Sequence, residues 1–456
     1  MPVLKANSRS CRPPVGKTYL TIGQDFFSIQ EYVQSQYNAS LHRSIHQQSL
    51  PIPLKDFAPA ALMTYTDIQQ LKGLATPVDY GSGMEYAKGL AEAFPGSGLQ
   101  IGLWLNGTAG CSDILNGTLD QRIIQLYDDI GHQLHSTTAD TLKVFLRVGY
   151  EFDNPWFGYS EDPSTYQRAF QKMVTDCENQ LGFSVCHDRI AFVWHSWAAP
   201  RSIASLDTFY PGDEFVDWVG ISIFQQLYPW ANLEGTGARE KGNFAGGDLT
   251  HVIEVLEYAK SHDKPVMIAE STPFGGMHVA STDVALGFID DSATDAQNGD
   301  ILWDLWFQKT IDLIDRYDIA MWSYINCDWE SQPMWHNIGF GDTRLSSSKL
   351  VMENWWVKVL RNDTRFVARM DCSSQLHAQK HLFSKLLKAD ARLSIGSFSD
   401  KTTKNCTFLF GPLWQCLCIV SVMVVPVLAY VQRKQRGGQV EENLRIWSEA
   451  GSYRSL

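Results

Sequence analysis

Eight short apolar runs recur between residues 19 and 360, and most are followed by a segment patterned as a helix, which constrains the chain to an α/β architecture. The runs are Tyr19–Gln24, Ala60–Thr64, Leu99–Leu105, Leu142–Val148, Arg189–Trp194, Val216–Ile223, Pro265–Glu270 and Ile319–Ile325. Helical patterns cover Ser28–Gln36 with Ser28 as its cap, Met84–Phe94, Leu119–Leu134, a stretch opening at Pro163, Leu249–Ser261, Ile301–Tyr317 and Lys349–Leu360. Right-handed βα crossovers build a parallel sheet, and eight units close it into a barrel without edges. A doubly wound open sheet carries a glycine-rich phosphate loop after its first strand, and GQDFFS has no such pattern. The expectation is a (β/α)8 TIM barrel over residues 17–361, behind an N-terminal segment 1–16.

The fourth run leads into LRVGYEFDNPWFGY, where Arg147, Glu151 and Asp153 crowd the end of a strand beside Trp156 and Phe157. Catalytic groups of parallel barrels sit at the carboxyl ends of strands, so Glu151 is read as half of a catalytic pair. The competing reading is an Arg147–Glu151 ion pair that only orders the loop. A second acid, Glu270, closes the seventh run, and the barrel would bring both to one mouth. Two facing carboxylates suit glycoside cleavage if one stays protonated and the other ionised. The aromatic neighbours of Glu151 make it the acid, and Glu270 the nucleophile. The balance of 38 Lys+Arg against 50 Asp+Glu argues against nucleic acid as a partner and suits a neutral or cationic substrate.

The nine cysteines lack zinc-ligand spacing, so no metal and no cofactor is expected. Cys177 and Cys186 are placed to close a small loop; Cys11, Cys111, Cys327, Cys372 and Cys406 cannot be paired from sequence. Sequons at Asn38, Asn106, Asn116, Asn362 and Asn405 fit a glycoprotein in an oxidising compartment. Phe408–Val431 is apolar over about two dozen residues and is followed by QRKQR, the pattern of a single membrane span with a cytoplasmic tail at 432–456. Residues 362–407 read as a stalk, and the barrel as extracellular or lumenal. The first twenty residues show no signal-peptide core, which leaves export to an upstream start or a tail anchor.

RVGYEFDNPWFGY resembles the acid/base motif R-x-x-H-E-x-N…W-F of glycoside hydrolase family 26, among the retaining (β/α)8 glycosidases. KPVMIAEST resembles its nucleophile strand, and IGQDFF, FVWHSW, DWVGISIF and AMWSYIN extend the similarity over nearly all of residues 19–360. The resemblance implies Glu151 as acid/base, Glu270 as nucleophile and Trp322 as an aromatic platform beneath the sugar. It implies a β-1,4-mannan or a related β-glucan as substrate. Tyr150 stands where the motif has His, Asp153 where it has Asn, and Phe224 where the superfamily has a tyrosine that holds the nucleophile, with Tyr228 as a candidate substitute.

Further candidate substrate contacts are Gln24, Arg147, Tyr150, Asp153, Trp156, Trp197 and Trp329, each with a structural alternative. Gln24 can cap a strand end, Asp153 a loop, and Trp329 can cover the barrel top; His195 reads as a structural histidine. The reading from another class is a membrane-anchored carbohydrate-binding protein on the same barrel, which the altered Tyr150, Asp153 and Phe224 would fit.

Overall fold

The structure is a computed structural model and describes residues 11–47, 54–134, 142–199, 205–224, 226–227, 248–277, 302–361, 364–370 and 372. Its barrel strands are β1 (Thr18–Gly23), β2 (Ala61–Asp67), β3 (Gly98–Trp104), β4 (Val144–Val148), β5 (Ile190–Ser196), β6 (Trp218–Ile223), β7 (Val266–Ser271) and β8 (Met321–Ile325). Each pairs in parallel with the next, and β8 returns to β1 through pairs such as Leu20 with Trp322, closing the sheet. Closure is what lets such apolar strands exist without an aggregation-prone edge.

Alternation along each strand sorts its residues into two layers. Tyr19, Phe145, Val193, Trp218, Met267 and Met321 fill the barrel interior. Leu62, Ile101, Leu146, Ile221, Ile268 and Trp322 belong instead to the larger core that includes helix residues such as Tyr32, Leu126, Phe170, Val255 and Trp355. Arg147 and His195 share the inward parity of Phe145 and Val193, so the interior changes from apolar to charged toward the strands' carboxyl ends.

One break in this alternation matters. Ile221 of β6 pairs with Ile268 of β7, but the next residue, Ser222, pairs with Glu270. Ala269 is therefore the extra residue of a bulge. Strict alternation would give Glu270 the outward parity of Ile268; the bulge turns it toward the mouth, opposite Ser222.

Several local expectations shift. The first helix runs Phe26–Gln47, and its cap is Asp25 rather than Ser28: Asp25 Oδ1 accepts from the amides of Phe27 and Ser28 at 3.0 and 3.2 Å. Met84–Glu85 pairs with Val78–Asp79 as a small hairpin, so the helix expected from Met84 begins at Ala87. Glu85 explains the change, since its Oε2 accepts from Thr64 Oγ1 and the Tyr65 amide and ties this segment to β2.

The barrel domain also reaches beyond 17–361. Phe366–Val367 forms β9 beside β1, and Cys372 is bonded to Cys11, so residues assigned to an N-terminal segment and a stalk complete the domain. Cys177 and Cys186 form the second disulfide, while Cys111 and Cys327 are free and buried. Asn38, Asn106 and Asn116 are exposed. Among the described residues no helix is long and apolar enough to cross a membrane; the expected span Phe408–Val431, the rest of the stalk and the tail lie outside them.

Cys372→Ser opens a link between residues 361 positions apart. Denaturant unfolding of that variant is expected to show a loss of about 2–5 kcal/mol, with the midpoint lowered.

Candidate active site

Glu151 and Glu270 enter one pocket by different backbone devices. Glu270 arrives through the β7 bulge; Glu151 sits just past β4 with φ of 52°, a left-handed conformation that a residue with a Cβ adopts at a penalty of about 1–2 kcal/mol. That turn is held by its surroundings. The Phe152 amide donates to the His195 carbonyl at 3.1 Å, and the Asn154 amide to the Glu151 carbonyl at 2.9 Å.

The two carboxyls meet different environments. Arg147 Nη1 donates to Glu270 Oε1 in an ion pair whose guanidinium is wholly buried. The guanidinium carbon lies 4.9 Å from the Tyr65 ring and 5.3 Å from the Tyr150 ring, so two aromatic faces help replace its lost hydration. Among the described residues no cationic side chain pairs with Glu151. Its Oε1 accepts from Ser222 Oγ at 2.6 Å and its Oε2 from Asn154 Nδ2 at 3.2 Å. Burial first, and the charge of Glu270 second, push its carboxyl up to about 8. At neutral pH the pocket thus holds an acid beside an arginine-paired carboxylate. The competing Arg147–Glu151 ion pair does not form; Arg147 turns to Glu270 instead.

Glycines mark where the backbone yields space. A Cβ at Gly102 would lie 2.5 Å from the Tyr65 ring and 2.8 Å from Arg147 Nη2, and one at Gly220 would lie 3.0 Å from the His195 ring. His195 is fully buried, with Nδ1 3.3 Å from Arg147 Nη1 and Nε2 3.0 Å from Ser222 Oγ. It is a buried, hydrogen-bonded histidine, as its structural reading expected, and its two partners place it in the network that reaches both acids.

The other expected contacts divide. Tyr150 lies within 5.5–6.1 Å of the rings of Tyr65, Trp104 and Phe157, in an aromatic wall beside Glu151. Trp156 is half exposed and edge-on to the buried Trp197, which makes it the exposed ring of that loop. Asp153 faces away: it is fully buried, accepting from Ser196 Oγ and the Trp197 amide, both at 2.6 Å, and pairing with His251 Nε2 at 3.0 Å. It anchors the loop after β5 and leaves no surface for a sugar hydroxyl. Gln24 is buried and donates to Gln332 at 3.5 Å. Trp329 is stacked on Phe340, 4.5 Å away, and donates to Thr343 Oγ1, so it covers the barrel top.

Trp322 is a clear correction. Its outward parity packs it on Trp355 and Phe366, with Nε1 donating to Ser271 Oγ, so no face is open to a sugar. Tyr228 lies outside the described residues. Phe224 packs on Phe340, and the contact to Glu270 expected from a tyrosine is supplied by Arg147. Among the described residues no cluster of ligands could hold a metal ion.

Residues 101–237, which include Arg147, Glu151 and the whole of β3 to β6 past Ile101, match the family model for glycosyl hydrolase family 26. The chain carries a glycosyl hydrolase family 26 domain. It is 30% identical to a β-1,3-xylanase of a Vibrio species over 325 residues, 69% of this chain and 62% of that one. It is 27% identical to a β-1,3-xylanase of an Alcaligenes species over 348 residues, 74% and 62% of the two chains. The match thus spans less than two thirds of these curated relatives. A solved family 26 β-mannanase from Bacteroides ovatus is 13% identical, with a TM-score of 0.47 over 81% of this chain and 94% of that one.

Two outcomes follow from this geometry. Ionising Glu151 is harder in the folded chain than in the unfolded one, so stability falls as pH rises from about 4.5 to about 8. Glu151→Gln removes that penalty, and calorimetry should find its gain in melting temperature several degrees larger near pH 9 than near pH 4. Trp322→Ala should lower stability by about 3–5 kcal/mol, whereas Trp322→Phe should fold and leave KM for a glycan within about twofold.

Proposed function

We propose that this domain is a retaining glycoside hydrolase acting on a β-linked polysaccharide, with Glu151 as acid/base and Glu270 as nucleophile. The observation that carries the reading is the electrostatic difference between the two acids. Glu270 has Arg147 as an ion-pair partner, and Glu151 is buried without one and pushed up to about 8. One is suited to attack and the other to give a proton.

In the first step Glu151 protonates the glycosidic oxygen as the bond to the anomeric carbon breaks, and Glu270 attacks that carbon from the opposite face. Once Glu270 is esterified its negative charge is gone. The repulsion that raised Glu151 then disappears, so Glu151 becomes the carboxylate that takes a proton from the incoming water. Release of the sugar restores both.

The substrate follows from the departures as much as from the matches. Tyr150 stands where the family 26 motif has histidine and Phe224 where the superfamily has tyrosine, and the chain is 30% and 27% identical to two β-1,3-xylanases. We therefore infer β-1,3-xylan as the first polymer, with β-1,4-mannan second and β-glucan third. The run Phe408–Val431 and its basic flank support display of the domain at an outer or lumenal membrane face.

The test is reducing-end release by the full chain from these three polymers, with product anomers followed by NMR. Net retention is expected, and Glu151→Gln and Glu270→Gln should each lose about a thousandfold or more in kcat/KM. Binding without turnover in the unaltered chain would favour the carbohydrate-binding alternative, and inversion would sink the double displacement.

A further inference from the structure

A continuous run of buried side chains joins the two acids. It passes from Glu270 to Arg147, then to His195, Ser222 and Glu151, and the three middle residues are completely inaccessible to solvent. They come from β4, β5 and β6, three adjacent strands, so the run is built into the barrel wall rather than into loops.

The direction of every bond can be worked out from its ends. A guanidinium only donates, so His195 Nδ1 accepts from Arg147 and carries no proton. Burial first and the charge of Arg147 second hold the imidazole well below its usual value, so it is neutral. Its single proton is on Nε2, which donates to Ser222 Oγ. The hydroxyl has one hydrogen left to give, and the group within reach is Glu151 Oε1, 2.6 Å away. Reversing the His195–Ser222 bond would require a proton on His195 Nδ1, set against the Arg147 donor; with Oγ accepting from Nε2, the hydroxyl hydrogen is free for Glu151 Oε1.

We infer that Ser222 and His195 are positioning residues that decide which oxygen of Glu151 carries its transferable proton. Oε1 takes the shorter bond, 2.6 Å from Ser222 Oγ against 3.2 Å from Asn154 Nδ2 to Oε2, so the proton resides on Oε2, which keeps a lone pair for the amide. In the first step that proton passes from Oε2 to the glycosidic oxygen, which keeps the electron pair of the broken bond. In the second step water gives a proton back to Oε2 as its oxygen bonds to the anomeric carbon and the bond from that carbon to Glu270 breaks, returning the electron pair to the Glu270 carboxylate. Throughout, Ser222 remains a donor to Oε1 and so stabilises the carboxylate form that the second step requires. The inference rests on the hydrolase reading and adds two residues to it.

The charged and polar groups that act on Glu151 are Glu270 from β7, Ser222 from β6, and Tyr150, Asn154 and, by its charge alone, Asp153 from its own loop. Of these, Ser222 and Asn154 donate to the carboxyl, so the loss of Ser222 should make ionisation harder.

The experiment pairs two readouts on the full chain. One is the pH dependence of kcat/KM, whose basic limb reports the acid; the other is a titration of Glu151 by NMR with carbon-13-labelled glutamate, assigned through Glu151→Gln. Ser222→Ala is expected to move both upward by about one pH unit. Ser222→Thr, which keeps the hydroxyl, should return both to the original position. His195→Phe removes the donor that orients the hydroxyl and should produce part of the same upward shift. If Ser222→Ala fails to fold, His195→Phe and Ser222→Thr carry the same comparison. An unchanged limb and an unchanged titration in the serine variant overturn the inference even where the rate has dropped. Should the unaltered chain show no turnover, the hydrolase reading falls, and the NMR titration alone decides whether Ser222 sets the state of Glu151.

Discussion

Arg147 and Glu270 form an ion pair inside the upper barrel, and the arrangement of the site depends on it. A guanidinium with no solvent exposure is tolerated only when its charge is matched and its faces are covered, here by Glu270 and by the rings of Tyr65 and Tyr150. Removing either partner would leave a buried charge alone, at about 3–5 kcal/mol. The same pair settles the neighbours. It sets the tautomer of His195 through Nδ1, and through His195 it orients the Ser222 hydroxyl toward Glu151.

The backbone around this pair departs from regular geometry at the points the chemistry needs. The β7 bulge inverts the parity of Glu270, the left-handed turn at Glu151 aims its carboxyl, and Gly102 and Gly220 admit Arg147 and His195. Each departure weakens an otherwise continuous barrel. Their concentration at the carboxyl ends of β3, β4, β6 and β7 argues for a site under constraint rather than for scattered irregularity.

The barrel itself was legible because apolar runs and helical periods report burial directly: all eight runs became strands within a few residues. The acids were legible as charges at strand ends. Their partners were less so, for reasons that can be named. Alternation within MWSYI assigns Trp322 the parity opposite to Met321, an inner residue, and so argued against its use as a platform. Glycine inside LQIGLW and WVGISI was the available sign of a close approach, and Ser222, two residues beyond Gly220, shares its inward face. The bulge at Ala269 has no such sign, because it arises from pairing between β6 and β7 and not from either strand alone. Asp153 was misleading in a different way: a carboxylate in an active loop has the same composition whether it meets substrate or holds the next loop's amide.

Tyr150, which takes the place of the motif's histidine, bears on the charge of the whole pocket. Its ring covers Arg147, and burial drives its phenol far above the usual value, so it contributes aromatic surface and no charge. A histidine at that position could become a second cation beside the guanidinium and would draw Glu151 toward its ionised form. With tyrosine there, His195 neutral and Arg147 matched by Glu270, the pocket is close to electrically neutral while Glu151 keeps its proton. That balance suits an uncharged glycan. Under the proposed double displacement, charge development at Glu270 as it is consumed and at Glu151 as it deprotonates is the largest electrostatic change in the site, so the groups that touch those two carboxyls would act mainly on the transition states rather than on substrate binding.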